Sequence, residues 1–396
     1  MNNSSCILLG DIHLGRSQSL GKTAIGSALN SRIIDQLNLL NWVHDQAVSR
    51  SIKHIILTGD IFDEPRPSYQ LVELFIDWLK KCGDNDIDVH IIVGNHDILR
   101  SGQFITSPLD IINSVDFENV LVYKKISTLH LDGMSITMVP FRDRRSFNTQ
   151  SNAEAINVIK NQITYQLPSI DKFASKVLIG HLALEGSIPV GNELDDLANE
   201  LFCHLDMFKG YDYVFMGHIH KFQIMREVPN YIAHIGSMDI SDFGETDQDK
   251  FIAIFDANKN LEYVKIPTRK LININIDLPD ETTNATEFVQ NYINHIDALN
   301  NAIVKVNIKL PSNGSYTIDR SIIEKQLNNN GVFFTSKISE ERSFVSIKKQ
   351  INKTIDNAIN EISAIKTYSS LIEENIREEF IKIACDTVNE FKENIK

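Results

Sequence analysis

Cys6-Ile7-Leu8-Leu9-Gly10-Asp11-Ile12-His13 joins a short apolar run to a glycine and then to residues of metal-ligand type. The pattern recurs four times. His54-Ile55-Ile56-Leu57-Thr58 leads to Gly59-Asp60, and Val89-His90-Ile91-Ile92-Val93 leads to Gly94-Asn95-His96-Asp97. Val177-Leu178-Ile179 leads to Gly180-His181, and Tyr213-Val214-Phe215-Met216 leads to Gly217-His218-Ile219-His220. Apolar runs of this length, rich in Val and Ile, read as buried strands. A glycine at a strand end permits a sharp turn and a close backbone approach. Five strands would thus bring ligands to one edge of a sheet, which is the plan of a metal centre.

Between these runs the periodicity changes. Ser31 to Arg50 places Ile33, Ile34, Leu37, Leu40, Val43 and Ala47 at helical spacing, and Gln70 to Lys81 does the same with Leu71, Leu74, Phe75, Trp78 and Leu79. Strand, helix, strand order from Cys6 to Val93 predicts βαβ units. After His220 the pattern turns to strands at Tyr231 to Ile235, Phe251 to Phe255 and Leu261 to Ile266. A sheet sandwich flanked by helices fits the stretch from Ser5 to Pro267.

A smaller α/β unit follows. Strands at Ile272 to Ile276 and Ile303 to Leu310 bracket a helix from Thr286 to Ile296; a helix around Ile322 to Leu327 leads to strands at Val332 to Thr335 and Ser343 to Ile347. Beyond that, Ile351, Ile355, Ala358, Ile359, Ile362 and Ile365 form a helical stripe. Ser370 with Glu373 makes a capping box for a second helix carrying Ile376, Phe380, Ile383, Ala384 and Phe391. These two helices either pack on the body or form a detached hairpin whose apolar stripe takes a partner. The division expected is 1–268, 269–347 and 348–396.

The candidate ligands are Asp11, His13, Asp60, Asn95, His181, His218 and His220. They exceed the needs of one tetrahedral ion and suit two ions sharing a bridge. Asp60 is the bridging candidate, since a carboxylate has two oxygens. Asp11, His13 and His220 would complete one ion, and Asn95, His181 and His218 the other. Imidazole and oxygen donors without thiolate favour Mn²⁺, Fe or Zn²⁺ over Ca²⁺ or Mg²⁺. Two divalent ions carry more positive charge than Asp11 and Asp60 offset, so the site should attract an anionic phosphate. Ions roughly 3.5–4 Å apart can clamp the attacking and leaving oxygens of an in-line displacement. His96 is free to protonate a leaving oxygen, with Asp97 orienting it or a neighbouring histidine. The other histidines, His44, His54, His90, His130, His204, His234 and His295, lack this setting and read as packing or surface residues.

Composition bounds the alternatives. At 396 residues the chain has room for more than one domain. No apolar stretch is long enough for a membrane span, and Met1-Asn2-Asn3-Ser4-Ser5 has no basic or apolar leader character, so a chain without a cleaved leader is expected. Four scattered cysteines form no CxxC pair, which argues against zinc ribbons and for a reducing, cytoplasmic setting. The net charge of −13 argues against a stand-alone tight DNA binder, but bound cations or a second subunit can supply the grip on phosphate.

Gly10 to His13, Gly59-Asp60, Gly94 to Asp97, Gly180-His181 and Gly217 to His220 resemble the motifs of the calcineurin-like metallophosphoesterase superfamily. Asp11 to Gly15, Gly59 to Asp63 with Pro67-Ser68, Gly236-Ser237 and Asp242 to Glu245 look like the bacterial and phage SbcD branch of the Mre11 nucleases. The resemblance covers roughly Ser5 to Pro267. It implies a four-layer αββα core with a smaller α/β capping domain and a C-terminal helical hairpin, and two Mn²⁺ ions, with Mg²⁺, Fe or Zn²⁺ as substitutes. It further implies 3′–5′ exonuclease and single-strand endonuclease action on DNA, an SbcC/Rad50-type SMC-like ATPase partner, and a homodimer within a heterotetramer. The dimer helices would be about Ser68 to Lys81 and Ser107 to Ser114.

Asp63 stands where the archaeal and eukaryotic branch carries a histidine. Candidate DNA contacts are Arg142, Arg144 and Arg145 in the basic loop after Pro140, and Arg16 and Arg66 beside ligand motifs. The rivals are another phosphoesterase of the same chemistry and a structural DNA-end clamp. Phe62-Asp63-Glu64-Pro65 and Asp97 depart from the protein-phosphatase pattern, and a complete ligand set argues against a mere clamp.

Overall fold

The computed structural model describes residues 5–23, 26, 28–101, 104–115, 117–170, 172–191, 200–312, 316–342, 365 and 374–394. Two six-stranded sheets dominate. The first runs, edge to edge, Leu261–Lys265, Phe251–Asp256, Ser5–Leu9, His54–Leu57, Asp88–Ile92 and Val120–Tyr123. The second runs Gln223–Arg226, Tyr231–His234, Tyr213–Met216, Ser175–Gly180, Met134–Val139 and Ser127–Leu131. The five ligand-bearing runs are parallel strands at the centres of these sheets, as β-rich stretches without alternation should be when both faces are covered.

They do not share one sheet, however. Three lie in the first sheet and two in the second, so the expectation of a single sheet edge is corrected: the ligands meet where two stacked sheets end together. Alternation along each strand explains the stacking. Cys6, Leu8, Ile56 and Ile92 face inward against Ile136, Met138, Val177, Ile179 and Phe215 of the second sheet. Ile7, Leu9, Ile55, Leu57, Val89 and Ile91 face outward into a layer built by helices Ser31–Ser49 and Tyr69–Gly83. On the far side, Leu178, Val214 and Met216 pack with Ala155, Ile159 and Ile163 of helix Asn152–Ile170. The result is four layers, αββα.

A three-stranded sheet orders Leu271–Asp277, Ile303–Leu310 and Phe334–Arg342. One strand, Phe334–Arg342, replaces the first of the two strands expected after Val332. The expected strand at 343–347 lies outside the described residues. Helices Ala285–Asn294 and Arg320–Asn329 fall on the two helical stretches read from sequence. The chain divides into two compact units: residues 1–274 with 296–305 and 325–337, and residues 275–295 with 306–324 and 338–396. Of the expected C-terminal hairpin, helix Glu374–Asn394 is described, with Ile383 exposed on it; the first stripe, Ile365 apart, and the capping box at Ser370 lie outside the described residues. No described helix is long and apolar enough to cross a membrane.

Candidate metal centre

Each ligand residue sits in the first turn after its strand, and three of them hold unusual backbone there. His13, Asp60 and His218 have positive φ values of 47°, 48° and 80°. Such strain in residues other than glycine is tolerated where the surroundings over-determine it, commonly at functional sites. The preceding glycines are required by crowding. A Cβ on Gly10 would stand 1.7 Å from the Gly236 carbonyl oxygen, and one on Gly217 would stand 2.5 Å from Asp11 Oδ1. The Gly236 backbone at Gly10, and a ligand carboxylate at Gly217, fill the space that a side chain would need.

The donor atoms converge in two groups. Asp11, His13 and His220 form one, and Asp60, His181 and His218 the other, while His96 also brings a donor atom within reach of His13 and Asp60. In the first, His13 Nε2 and His220 Nε2 are 3.0 Å apart. In the second, Asn95 Oδ1 lies 2.8 Å from His181 Nε2 and 2.9 Å from His218 Nδ1. Asp60 Oδ2 lies between the groups, 3.6 Å from His13 Nε2 and 3.3 Å from His181 Nε2. All these side chains but Asn95 are buried.

The imidazoles are held from behind. His181 Nδ1 faces the Thr58 carbonyl at 2.9 Å, which leaves Nε2 for the site. His13 Nδ1 faces the Asp63 carboxylate at 3.6 Å, and His220 Nδ1 faces Glu245 at 3.6 Å. Metal-binding histidines are regularly oriented by such outer partners. Glu245 is itself fixed by Ser241 Oγ at 2.5 Å and by the buried Lys250, whose Nζ also donates to Ser237 Oγ and the His220 carbonyl. Burial alone would raise the Glu245 carboxyl, but His220 and Lys250 hold it at about 2. Gln36, from helix Ser31–Ser49, accepts from Gly15 N and donates to the His13 carbonyl, both at 2.9 Å. Ligand spacing marks neither Glu245, Lys250 nor Gln36. Glu245 carries a signal only through the resemblance of Asp242 to Glu245 to the SbcD branch.

The donor set fits divalent cations. Burial pushes Asp11 up to about 6 even beside His181, and the same burial would raise Asp60 were it not surrounded by imidazoles that hold it well down. Among the described residues, the nitrogens facing the site, His13 Nε2 and His218 Nδ1, meet only other candidate donors there, His220 and Asp60 in one case and Asn95 in the other. Carboxylates and imidazole lone pairs gathered in a dry pocket are costly unless paired or ligating. Neighbouring donors stand about 3 Å apart, the spacing that ligands around one ion adopt.

His96 lies at the rim. Its backbone N donates to Asp60 Oδ1 at 2.8 Å, and its Nδ1 meets the Asp63 carbonyl at 2.8 Å. Burial lowers the His96 pKa, but Asp60 and Asp63 outweigh it and the net shift is upward. Asp97 does not orient His96 or a neighbouring histidine, contrary to expectation. Its carboxylate accepts from Ile61 N and Gly94 N at 3.0 Å and Phe62 N at 3.4 Å, pinning the two ligand loops together. A backbone carbonyl, not a side chain, positions His96.

Among the cations, Arg16 reaches the site: Nη1 is 3.4 Å from His220 Nε2 and Nε is 3.8 Å from Asp63. Arg66 is exposed and lines a cavity with Asp63 and Glu64. Arg142 is turned back on carbonyls of Phe141 and Lys124, while Arg144 and Arg145 are exposed on a short turn, Arg144–Phe147.

Two donor groups with a carboxylate between them have a counterpart among known families. The model of the calcineurin-like phosphoesterase family matches residues 5–222. The chain belongs to that family. Calcineurin-like phosphoesterases are dimetal enzymes, and the match spans all five strand–glycine–ligand units. The SbcD component of the SbcCD nuclease from Staphylococcus epidermidis is 24% identical over 84% of this chain and 88% of its own length. The DNA double-strand break repair protein Mre11 of Methanocaldococcus jannaschii is 24% identical over 56% of this chain, and the alignment spans only 58% of that protein. A purple acid phosphatase from yellow lupin (Lupinus luteus) superposes with a TM-score of 0.45 at 13% identity, over 67% of this chain and 52% of that one.

Proposed function

We propose that this calcineurin-like phosphoesterase is the nuclease subunit of an SbcCD/Mre11–Rad50-like DNA end-processing complex. The observation that carries the proposal is Asp60 Oδ2 between two donor groups, with His96 fixed beside them. Asp11, His13, Asp60 and His220 would hold one ion, and Asp60, Asn95, His181 and His218 the other; Mn²⁺ suits these donors, with Mg²⁺, Fe or Zn²⁺ as substitutes. When bound, such a pair polarises a phosphoryl oxygen and provides a water nucleophile near neutral pH. His96, with Nδ1 tied to the Asp63 carbonyl, presents Nε2 to give a proton to the leaving oxygen. Arg16 offers a positive charge to the phosphate from beside His220. Asp97 holds the Asp60 and Asn95 loops in register.

DNA is favoured over a phosphoprotein by the names of the 24%-identical relatives and by Phe62-Asp63-Glu64-Pro65, which departs from the protein-phosphatase pattern. The proposed activities are 3′–5′ exonuclease and single-strand endonuclease. The proposed organisation is a core at 1–268, a capping domain at 269–347 and an ATPase-binding segment at 348–396. A homodimer through helices Tyr69–Gly83 and Leu109–Ser114 is supported by the exposed Tyr69, Ile111 and Val115. Purified protein should cleave linear duplex and single-stranded DNA with Mn²⁺ and stop with chelator. Vigorous phosphopeptide hydrolysis without DNA cleavage would overturn the proposal in favour of another phosphoesterase.

A further inference from the structure

The candidate centre occupies the ends of strands His54–Leu57 and Asp88–Ile92. At their beginnings, on the opposite edge of the same sheet, a second set of donors meets. His54 stands opposite Asp88 in the parallel register, and His90 follows two residues on. Alternation puts all three on the inner face, in line with Ile56 and Ile92 of the inter-sheet core. His54 Nδ1 is 3.4 Å from His90 Nε2 and 3.5 Å from Asp88 Oδ2, and donor atoms of the three residues lie within 4.8 Å of one another.

These separations are long for hydrogen bonds between such groups. They match something else. Donors at about 2.0–2.1 Å from a tetrahedral ion stand roughly 3.3 Å from one another. The remaining nitrogen of His90 is already engaged, since Nδ1 meets the Tyr123 hydroxyl at 3.1 Å, and this leaves Nε2 directed at the cluster. That is the outer-partner arrangement expected of a ligating histidine. Burial lowers His54 despite Asp88, and burial together with His54 takes His90 down to about 3. His90 is 2% exposed, so it is sheltered, whereas the Asp88 side chain at 48% leaves an entrance.

We propose that His54 Nδ1, His90 Nε2 and Asp88 Oδ2 form a mononuclear site for a divalent transition ion of the zinc class, separate from the dinuclear centre. Two imidazoles and one carboxylate prefer Zn²⁺ to the hard Mg²⁺ or Ca²⁺. Three protein donors leave a fourth position for solvent. The ion would staple the starts of two parallel strands whose ends carry Asp60 and Asn95.

The test is zinc binding by the full chain, followed by calorimetry and by elemental analysis after gel filtration. The parent should retain three zinc ions per chain, and Asp88→Asn and His54→Gln each two, with the third bound at least about tenfold more weakly. Asp88 is half exposed, so its amide variant preserves the fold even if His54→Gln does not. A chain carrying Asp11→Asn and His181→Ala should keep one tight ion that adding Asp88→Asn removes, and zinc should raise the melting temperature only before that addition. If folded Asp88→Asn and His54→Gln chains bind as many ions as the parent with equal affinity, the cluster is a hydrogen-bonded histidine pair and the proposal fails. Failure of the dinuclear centre would read differently, as no ions lost on Asp11→Asn with His181→Ala.

Discussion

At His96 the proton-carrying proposal and a ligand role predict different outcomes. Its backbone N already serves Asp60 and its Nδ1 serves the Asp63 carbonyl, so only Nε2 is left for chemistry. Replacing His96 with alanine should lower DNA cleavage by about 10²- to 10⁴-fold while two ions remain bound, as counted by elemental analysis. An ion lost with the side chain would make His96 a ligand. Gly10 gives a second residue-level prediction. Because its Cβ would fall 1.7 Å from the Gly236 carbonyl, Gly10→Ala should cost more than the about 1–3 kcal/mol of ordinary overpacking, read as a lowered urea midpoint together with loss of metal. The motif residues were legible in the sequence because each follows a strand at fixed spacing. Gln36 was not: it acts through a loop twenty-one residues away, and nothing in helix periodicity distinguishes it from a surface glutamine.

Elements connect those residues to stability. The segment after strand Tyr231–His234 brings Ser237, Glu245 and Lys250 beneath His220, and Lys250 is buried with its charge met by Glu245. Removing one partner of such a pair leaves the other stranded, so Lys250→Ala should destabilise by about 3–5 kcal/mol in urea titration. Glu245 adds a pH signature. Its folded pKa lies near 2 against the ordinary 4.5, so the unfolded chain takes up the proton first. The stabilisation is therefore complete above about pH 4.5 and fades as the pH falls toward 2. The stability gap between the parent and Glu245→Gln should narrow over that window and stay constant above it. The central strands were readable as elements because burial on both faces makes them continuous apolar runs. Edge strand Gln223–Arg226 is short and half-polar, and nothing in its composition separates it from the loops beside it.

Across the whole molecule, the division of ligands between two sheets was beyond the reach of local patterns. Strand runs look alike whichever sheet they join, and the inter-sheet packing of Cys6 and Leu8 against Ile179 and Phe215 is a long-range choice. The division makes the ions a cross-link. Stripping them with chelator should lower the melting temperature, and restoring Mn²⁺ should bring it back, since ligand that binds only the folded state stabilises by mass action. Deleting 348–396 should abolish ATPase association in pull-down while leaving basal cleavage in place; an insoluble product would instead assign those residues to the core.

The positions of the ligands along the chain also set a timetable. The group with Asp11 and His13 waits for His220, and the group with Asp60 waits for His181 and His218. On the ribosome, therefore, the chain must emerge at least as far as His218 before either cation finds its full set of donors. A nascent or prematurely terminated chain ending before that point carries the early motifs but no complete site. Hydrolytic competence is thereby withheld from any copy that ends before His218.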